Sequence, residues 1–137
     1  MIICIDISKK SLDVYNLENK TYQIFANNLE GISALIKAYG NDYDKKAIIE
    51  ATGPYQHYLH KLLEEAGWIV SVVNPYKARC FAKSAGFLAK NDKVDSQMLA
   101  IYGEKLSPAS THYPSSSQEE LKSLVHYRNT LIGELKR

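Results

Sequence analysis

Two short apolar runs, each with an acidic residue at or near its C-terminal end, constrain most strongly how this chain can fold. Ile2–Ile7 is rich in β-branched residues and contains Asp6, and Lys46–Glu50 ends on Glu50. Runs of this length and composition are typical of buried β-strands. Acids are rarely buried unless they are paired or bind a metal, and α/β sheets place their ligands at the carboxyl ends of strands. Asp6 and Glu50 are therefore candidate functional residues, although either one alone could simply emerge into solvent at a strand end.

The remaining hydrophobic patterns predict a protein in which strands and helices alternate. Strands are predicted over residues 12–17 and 22–25, and their short connections favour an antiparallel meander with the first strand. Helices are predicted from Asn28 to Gly40, from Pro54 to about Ala66, from Pro75 to about Ala85 and over 92–106, with another buried strand over 68–73. The strand–helix–strand unit between residues 46 and 73 implies a parallel strand pair with a right-handed crossover.

The composition fits one globular domain and says little about partners. The chain has 137 residues, of which 45% are hydrophobic and 23% charged, enough for a single core. Its net charge of +2 is too small to identify a nucleic-acid-binding protein. Cys4 and Cys80 form no C-x-x-C pair, so no zinc site is expected, and Cys4 is predicted to be a small core residue. Neither a signal peptide nor a membrane-spanning run is recognisable, so the expected location is the cell interior.

Basic residues are concentrated between positions 77 and 93. Five of them share this stretch with a single acid, Asp92: they are Lys77, Arg79, Lys83, Lys90 and Lys93. A basic strip beside acids suits a phosphate backbone held near a metal site, whereas the alternative is a solvated helix face. We expect Lys77, Arg79, Lys83 and Lys93 to contact nucleic acid.

Asp92 and Asp95 lie three residues apart near the start of a predicted helix. Residues at this spacing share a helix face, so both carboxylates can point at one spot. The alternative is helix capping, in which Asn91 or Asp92 caps the helix and Asp95 stabilises its dipole.

Taken as a set, Asp6, Glu50, Asp92 and Asp95 supply the oxygen ligands that hard divalent cations prefer. Two such ions about 4 Å apart can activate a nucleophile and stabilise a leaving oxygen in phosphoryl transfer. Without a cation, each pair of carboxylates about 4 Å apart repels by roughly 4 kcal/mol at an effective dielectric near 20. Four gathered carboxylates therefore require a bound metal or raised pKa values.

Five short motifs occur in order along the chain: Ile5–Lys9, Leu12–Val14, Ile49–Tyr55, Val73–Pro75 and Lys90–Ser96. Together they resemble the DEDD transposases of the bacterial IS110 insertion-sequence family, which includes the DNA invertase Piv. The resemblance covers nearly the whole chain. The family's last motif has Thr in place of Asn91 and Ala in place of Ser96, and neither difference removes a carboxylate.

The resemblance implies an α/β fold of the ribonuclease H-like class, similar to the Holliday-junction resolvase RuvC, with a mixed sheet, flanking helices and a projecting C-terminal helix. It implies that Asp6, Glu50, Asp92 and Asp95 are the catalytic and metal-binding acids. The implied cofactor is Mg²⁺, with Mn²⁺ as a substitute, and the implied activity is DNA strand cleavage and transfer by a transposase or recombinase. Some family members use a structured non-coding RNA to choose their DNA, so a guide RNA is a further expected partner.

The predicted organisation is a catalytic domain over 1–106, a Ser- and Pro-rich linker over 107–117 and the start of a coiled-coil helix over 118–137. That helix repeats apolar residues at coiled-coil spacing, which favours a homodimer or higher oligomer, although it could instead pack back on its own domain. The apolar residues are Leu121, Leu124, Val125, Leu131, Ile132 and Leu135. We expect the parent protein to continue into the second, serine-bearing domain of the family, without which recombination is not expected.

The sequence is compatible with three other functions. One is a RuvC-like endonuclease for branched DNA, and another is a non-catalytic module for dimerisation and nucleic-acid binding. The third, half of an actin-like ATPase, is disfavoured because the turn Ile7–Lys10 lacks glycine. His57 and His60 are predicted on an exposed helix face, with phosphate contact as the alternative, and the tyrosines are expected to serve in packing rather than as nucleophiles.

Overall fold

The predicted strands and helices are all present in the computed structural model, which describes residues 1–40, 44–87 and 91–136 and, at Asp92, the backbone only. The strands are β1 (Ile2–Ile7), β2 (Ser11–Asn16), β3 (Thr21–Ala26), β4 (Lys46–Glu50) and β5 (Ile69–Val73). The helices are α1 (Leu29–Ala38), α2 (Pro54–Glu65), α3 (Pro75–Ser84), α4 (Asp92–Leu106) and α5 (Ser116–Leu135). The predicted end of the last helix, at Arg137, lies outside the described residues.

The five strands form one mixed sheet in the order β3-β2-β1-β4-β5. β1, β2 and β3 are an antiparallel meander, whereas β1, β4 and β5 run parallel. The crossover from β4 to β5 is helix α2, as the strand–helix–strand pattern predicted. A mixed sheet of this order with helices on both faces is consistent with a ribonuclease H-like fold, which confirms the predicted fold class.

Side chains alternate along the strands and build a separate core on each face of the sheet. From β1, Ile3 and Ile5 pack with α1 and α2, whereas Cys4 packs with α3 and α4. Each fully buried aliphatic side chain of this kind contributes roughly 2 kcal/mol through removal of apolar surface from water. Cys4 is a core residue, as predicted, and burial raises the pKa of its thiol well above the usual value.

Polar side chains fix where the helices begin. Asn28 accepts a hydrogen bond from the Gly31 amide at 2.8 Å, and Asn91 accepts one from the Val94 amide at 2.9 Å. The cap of α4 is therefore Asn91, which leaves Asp92 as the first helical residue. Gly31 is required because a Cβ at that position would lie 2.0 Å from the carbonyl oxygen of Ala26.

Residues 107–115, which are most of the predicted linker 107–117, lie along the outer edge of β5, and we call them the edge strap. The last two residues of the predicted linker already belong to α5. The Thr111 amide donates to the Val70 carbonyl at 2.7 Å, and the Thr111 hydroxyl accepts from the Val72 amide at 3.1 Å. Ser71 also donates to the carbonyl of Pro108 at 3.1 Å. The strap therefore satisfies backbone groups that an open edge strand would leave available for aggregation.

The edge strap also contacts α2. The His60 ring donates through Nε2 to the Thr111 carbonyl at 2.8 Å, and Glu64 accepts from the His112 ring and from the Tyr113 amide, each at 2.8 Å. His60 is only 3% exposed, so the prediction that it lies on an exposed helix face is wrong. The strap covers it, an arrangement that helical periodicity cannot reveal. His57, one turn earlier, is exposed as predicted.

Helix α5 follows the strap and has no buried residue. Leu121 and Leu124 remain 61% and 60% exposed, so this apolar face does not pack on the rest of the domain. The apolar face of the helix is therefore left uncovered by its own domain, which is the alternative to packing back that the sequence favoured. Within the described residues, no helix is long and apolar enough to cross a membrane.

The contact between Glu64 and the strap predicts a pH-dependent stability. Partial burial acts to raise the pKa of the Glu64 carboxyl, but hydrogen bonds from His112 and Tyr113 and the field of His60 and His112 outweigh it and lower the pKa. A lowered folded-state pKa means that the stabilisation is fully present above the ordinary value of 4.5 and is lost as the pH falls through the folded-state pKa.

We expect the Tyr113 amide to lose protection from hydrogen exchange in wild type as the pH falls below about 4.5. Glu64→Ala should lower that protection several-fold already at neutral pH, because both hydrogen bonds are lost. The neighbouring exposed acid provides the matched control, Glu65→Ala, which should behave as wild type. Equal protection in the two variants, after correction for intrinsic exchange, would contradict this role of Glu64.

Candidate active site

The parallel pairing of β1 with β4 brings two of the predicted acids together. Its register aligns Cys4 with Ile48, and the same register continued by two residues places Asp6 beside Glu50. Cys4 and Ile48 both point to the core under α3 and α4. Because side chains alternate, Asp6 and Glu50 point to that same face, at the carboxyl ends of their strands.

Asp95 reaches the same place from α4, which crosses this face of the sheet. Asp6, Glu50 and Asp95 are half-buried and line one pocket of about 520 Å³. The pocket wall is completed by apolar side chains, among them Phe87 and Met98. The structure therefore unites three of the four predicted acids. The side chain of the fourth, Asp92, lies outside the described residues, but its backbone is one helical turn before Asp95.

The chemistry of this donor set fits a hard divalent cation, because the three acids offer carboxylate oxygens and the described residues that line the pocket include no His or Cys. Among the described residues, no three potential ligands are already close enough to hold one ion. The acids therefore line a common pocket without forming a closed ligand sphere. Mg²⁺ suits such a site, because it retains several waters and is commonly completed by substrate phosphates.

Two basic residues of α3 share this pocket with the carboxylates. Arg79 and Lys83 are exposed, lie four residues apart on α3 and line the same pocket as Asp6, Glu50 and Asp95. Residues at this spacing share one helix face, so both can contact a single bound anion. An anionic group that entered the pocket would therefore meet both the cations of α3 and the acids.

The other two basic residues predicted to contact nucleic acid lie elsewhere. Lys77 lines a separate shallow pocket with Cys80 and Tyr102. Lys93 lies over the ring of Tyr22, with its Nζ 5.8 Å from the ring centre. The basic strip of the sequence is thus divided by helix geometry into a pair at the carboxylate pocket and two residues on other surfaces. The roles of all four in binding remain predictions.

Sequence reasoning did not single out Asp13, which is buried next to the pocket. In the β1–β2 register Asp13 lies directly opposite Asp6, and it is only 4% exposed. Its carboxylate accepts a hydrogen bond from the hydroxyl of Tyr22 and another, at 3.5 Å, from Ser11. An acid between Leu12 and Val14 in an apolar strand was the available signal, the same one that identified Asp6.

Thr52 was also missed. It follows Glu50 by two residues and lines the carboxylate pocket. Its buried hydroxyl has no hydrogen-bond partner among the described residues, whereas its amide donates to the Gln56 side chain at 2.9 Å. Thr52 is therefore an additional polar residue at the pocket.

A wider cleft of about 1020 Å³ lies between the beginning of α2 and α5, lined by His57, Tyr113 and Lys122 among others. Its acid, Glu119, accepts a hydrogen bond from the Tyr113 hydroxyl. This contact, with the buried surroundings of Tyr113, raises the pKa of that phenol. Glu119 is the one acid among the described residues that line this cleft, so the smaller pocket is the better candidate for metal-dependent chemistry.

Comparison with known proteins agrees with the sequence motifs. The profile of the DEDD transposases of IS110 elements, described as "Transposase", matches residues 3–137. Pilin gene-inverting proteins of Moraxella bovis and of Moraxella lacunata are each 35% identical to the chain over 142 residues. Each of these alignments covers 96% of this chain but 44% of the relative, so the chain spans less than half the length of these proteins. The resemblance recognised in the sequence is confirmed, and the chain belongs to the IS110 family of DEDD transposases.

Proposed function

We propose that this chain is the metal-dependent catalytic domain of a DNA transposase or site-specific recombinase. The observation that supports this proposal most strongly is the single pocket that joins Asp6, Glu50 and Asp95 to Arg79 and Lys83. Clustered acids facing cations suit the cleavage and transfer of a phosphodiester. The family membership and the gene-inverting relatives named above agree with DNA as the substrate.

In this proposal Asp6, Glu50 and Asp95, together with Asp92 from the sequence, hold Mg²⁺ or Mn²⁺. The bound ion supplies Lewis-acid stabilisation of phosphate charge and a stronger oxygen nucleophile. Arg79 and Lys83 attract the phosphodiester and orient it against the acids, and the apolar wall of the pocket limits access of bulk water. A guanidinium is well suited to this task because its planar array of donors can bind two phosphate oxygens.

The exposed apolar face of α5 supports a proposed homodimer. A helix of 20 residues is marginal in water unless its apolar face is covered. Pairing with the same helix of a second copy would bring two active sites together. Recombination of two DNA duplexes needs two active sites, and a two-fold symmetric dimer is the simplest assembly that provides them. A guide RNA and a location in the bacterial cytoplasm remain expectations of the same proposal.

The metal proposal predicts a thermal response. Mn²⁺ at ten times its dissociation constant should stabilise the wild-type chain by about 1.4 kcal/mol, which corresponds to a rise in melting temperature of a few degrees. Asp6→Asn should abolish most of that rise, because it removes a ligand charge at the centre of the pocket. Glu104→Gln, at the opposite end of α4, is the matched control and should respond as wild type. A rise that survives in Asp6→Asn would contradict the assignment of Asp6.

The nucleic-acid proposal predicts a change in salt dependence. Arg79→Ala and Lys83→Ala should each reduce the slope of log K against log salt by about 1 for a duplex of arbitrary sequence, because each removes one phosphate contact. Lys105→Ala, near the far end of α4, provides the control of equal charge change. Fluorescence anisotropy measures the binding. If the slope is unchanged when Lys77, Arg79, Lys83 and Lys93 are all replaced, these residues are excluded from the interface.

The dimer proposal predicts a mass change. Leu124→Glu combined with Leu131→Glu should convert a dimer to a monomer in light scattering, because each helix would bury two charges in the pair. The adjacent polar positions supply the control, Ser123→Glu with Thr130→Glu, which should keep the dimer mass. A wild-type chain that is monomeric at every concentration would contradict pairing through α5.

A further inference from the structure

The first turn of α4 is connected to the strand pair β2–β3 through three side chains. Asp13 accepts the hydrogen bond of the Tyr22 hydroxyl, and the ring of Tyr22 lies under the ammonium group of Lys93, whose Nζ is 5.8 Å from the ring centre. Asp13 itself lies opposite Asp6 in the sheet. One set of contacts therefore runs from the strand that carries Asp6 to the helix turn that carries Asp95.

We propose that Asp13, Tyr22 and Lys93 form a clamp that positions the first turn of α4, and with it Asp95, over the carboxyl ends of the strands. The three are positioning residues and touch neither metal nor substrate in this account. The effect of the clamp on metal binding rests on the proposed function, whereas the clamp itself is a set of contacts within the fold and does not. It gives Lys93 a role other than the phosphate contact expected from the sequence.

Hydrogen bonds hold the buried end of the clamp, the side chain of Asp13. A carboxyl group with 4% exposure is costly to bury unless hydrogen bonds replace those it made to water, and the hydroxyls of Tyr22 and Ser11 provide them. The bond to Asp13 therefore fixes the position of the Tyr22 phenol and the direction in which its ring face points. Lysine is attracted to such a face by the quadrupole of the ring.

The clamp contacts the part of α4 that precedes the fully buried positions of the helix. Asn91 and Lys93 are exposed and Asp95 is half-buried, whereas residues from Ser96 onward include the fully covered positions of the helix. The turn carries its own hydrogen bonds, such as that from the Asp95 amide to the Asn91 carbonyl at 2.8 Å. Those bonds keep the turn helical, but they do not hold it against the sheet. The clamp is a side-chain contact that does so.

Hydrogen exchange of the Asp95 amide tests the clamp without any metal. Lys93→Met, a change at an exposed residue, should increase exchange about threefold, the size expected for loss of an exposed cation–π contact. Tyr22→Leu should have an equal or larger effect, and Lys93→Arg should restore wild-type exchange because arginine also stacks on the ring. The controls are Tyr55→Leu and Lys77→Met, exposed residues outside the clamp, which should leave the Asp95 amide unchanged.

Unchanged exchange in both Lys93→Met and Tyr22→Leu would overturn the proposal. Tyr22→Phe keeps the ring and removes the bond to Asp13, so its exchange should lie between wild type and Tyr22→Leu. Exchange equal to wild type in Tyr22→Phe would remove Asp13 from the clamp. If Tyr22→Leu fails to fold, Lys93→Met decides the question alone, because its side chain contributes to no core.

Mn²⁺ affinity then connects the clamp to the site. Tyr22→Leu alters no formal charge and should weaken Mn²⁺ binding several-fold by loosening Asp95, whereas Tyr55→Leu should leave it unchanged. Suppose that Tyr22→Leu increases hydrogen exchange of the Asp95 amide but binds Mn²⁺ as tightly as wild type. That result would overturn the link between the clamp and the metal site. A wild-type chain that binds no Mn²⁺ would instead contradict the proposed function, and the exchange measurements would still decide whether the clamp exists.

Discussion

The parallel pairing of β1 with β4 is the interaction on which the rest of the site depends. It fixes two strands whose carboxyl ends meet at one edge of the sheet, and its register places Asp6 beside Glu50. A shift of one residue would turn one of these acids to the opposite face, because side chains alternate with a period of two. The apolar residues that precede each acid are buried in the two cores, so burial of Ile5 and Ile49 holds the register that the acids need.

The second constraint is the close approach of α4 to this sheet. Gly103 permits it, because a Cβ at that position would lie 2.7 Å from Cγ1 of Ile48 in the strand that carries Glu50. Ala100, one turn earlier, is likewise fully buried. Small residues late in the helix set its height above the sheet, and the contacts of Tyr22 with Lys93 hold its first turn. Asp95 lies between these two contacts, so its position over the sheet depends on the packing at both ends of the helix.

Local sequence signals predicted the elements of this fold well, because the strands are short and β-branched and asparagines cap the helices. The same signals singled out Asp6, Glu50 and Asp95 as candidate site residues. An acid in or beside a buried strand is unusual, and so is a pair of acids three residues apart in the first turn of a helix. These signals failed where contacts join residues far apart in the chain. The burial of His60 depends on Thr111, and the pairing of Asp13 with Tyr22 depends on a hairpin register. The basic residues of 77–93 do not share one surface. Arg79 lines the carboxylate pocket and Lys77 does not, because their positions around the helix differ although they are close in sequence.

The central claim is that the acids at the carboxyl ends of β1 and β4 and at the start of α4 hold one divalent-metal site. Anomalous diffraction at the manganese edge, from crystals of the chain grown with Mn²⁺, tests it most directly. The account predicts a peak within coordination distance of carboxylate oxygens of both Asp6 and Asp95, inside the pocket that Glu50 lines. A manganese peak bound elsewhere on the chain, with that pocket empty, would contradict it.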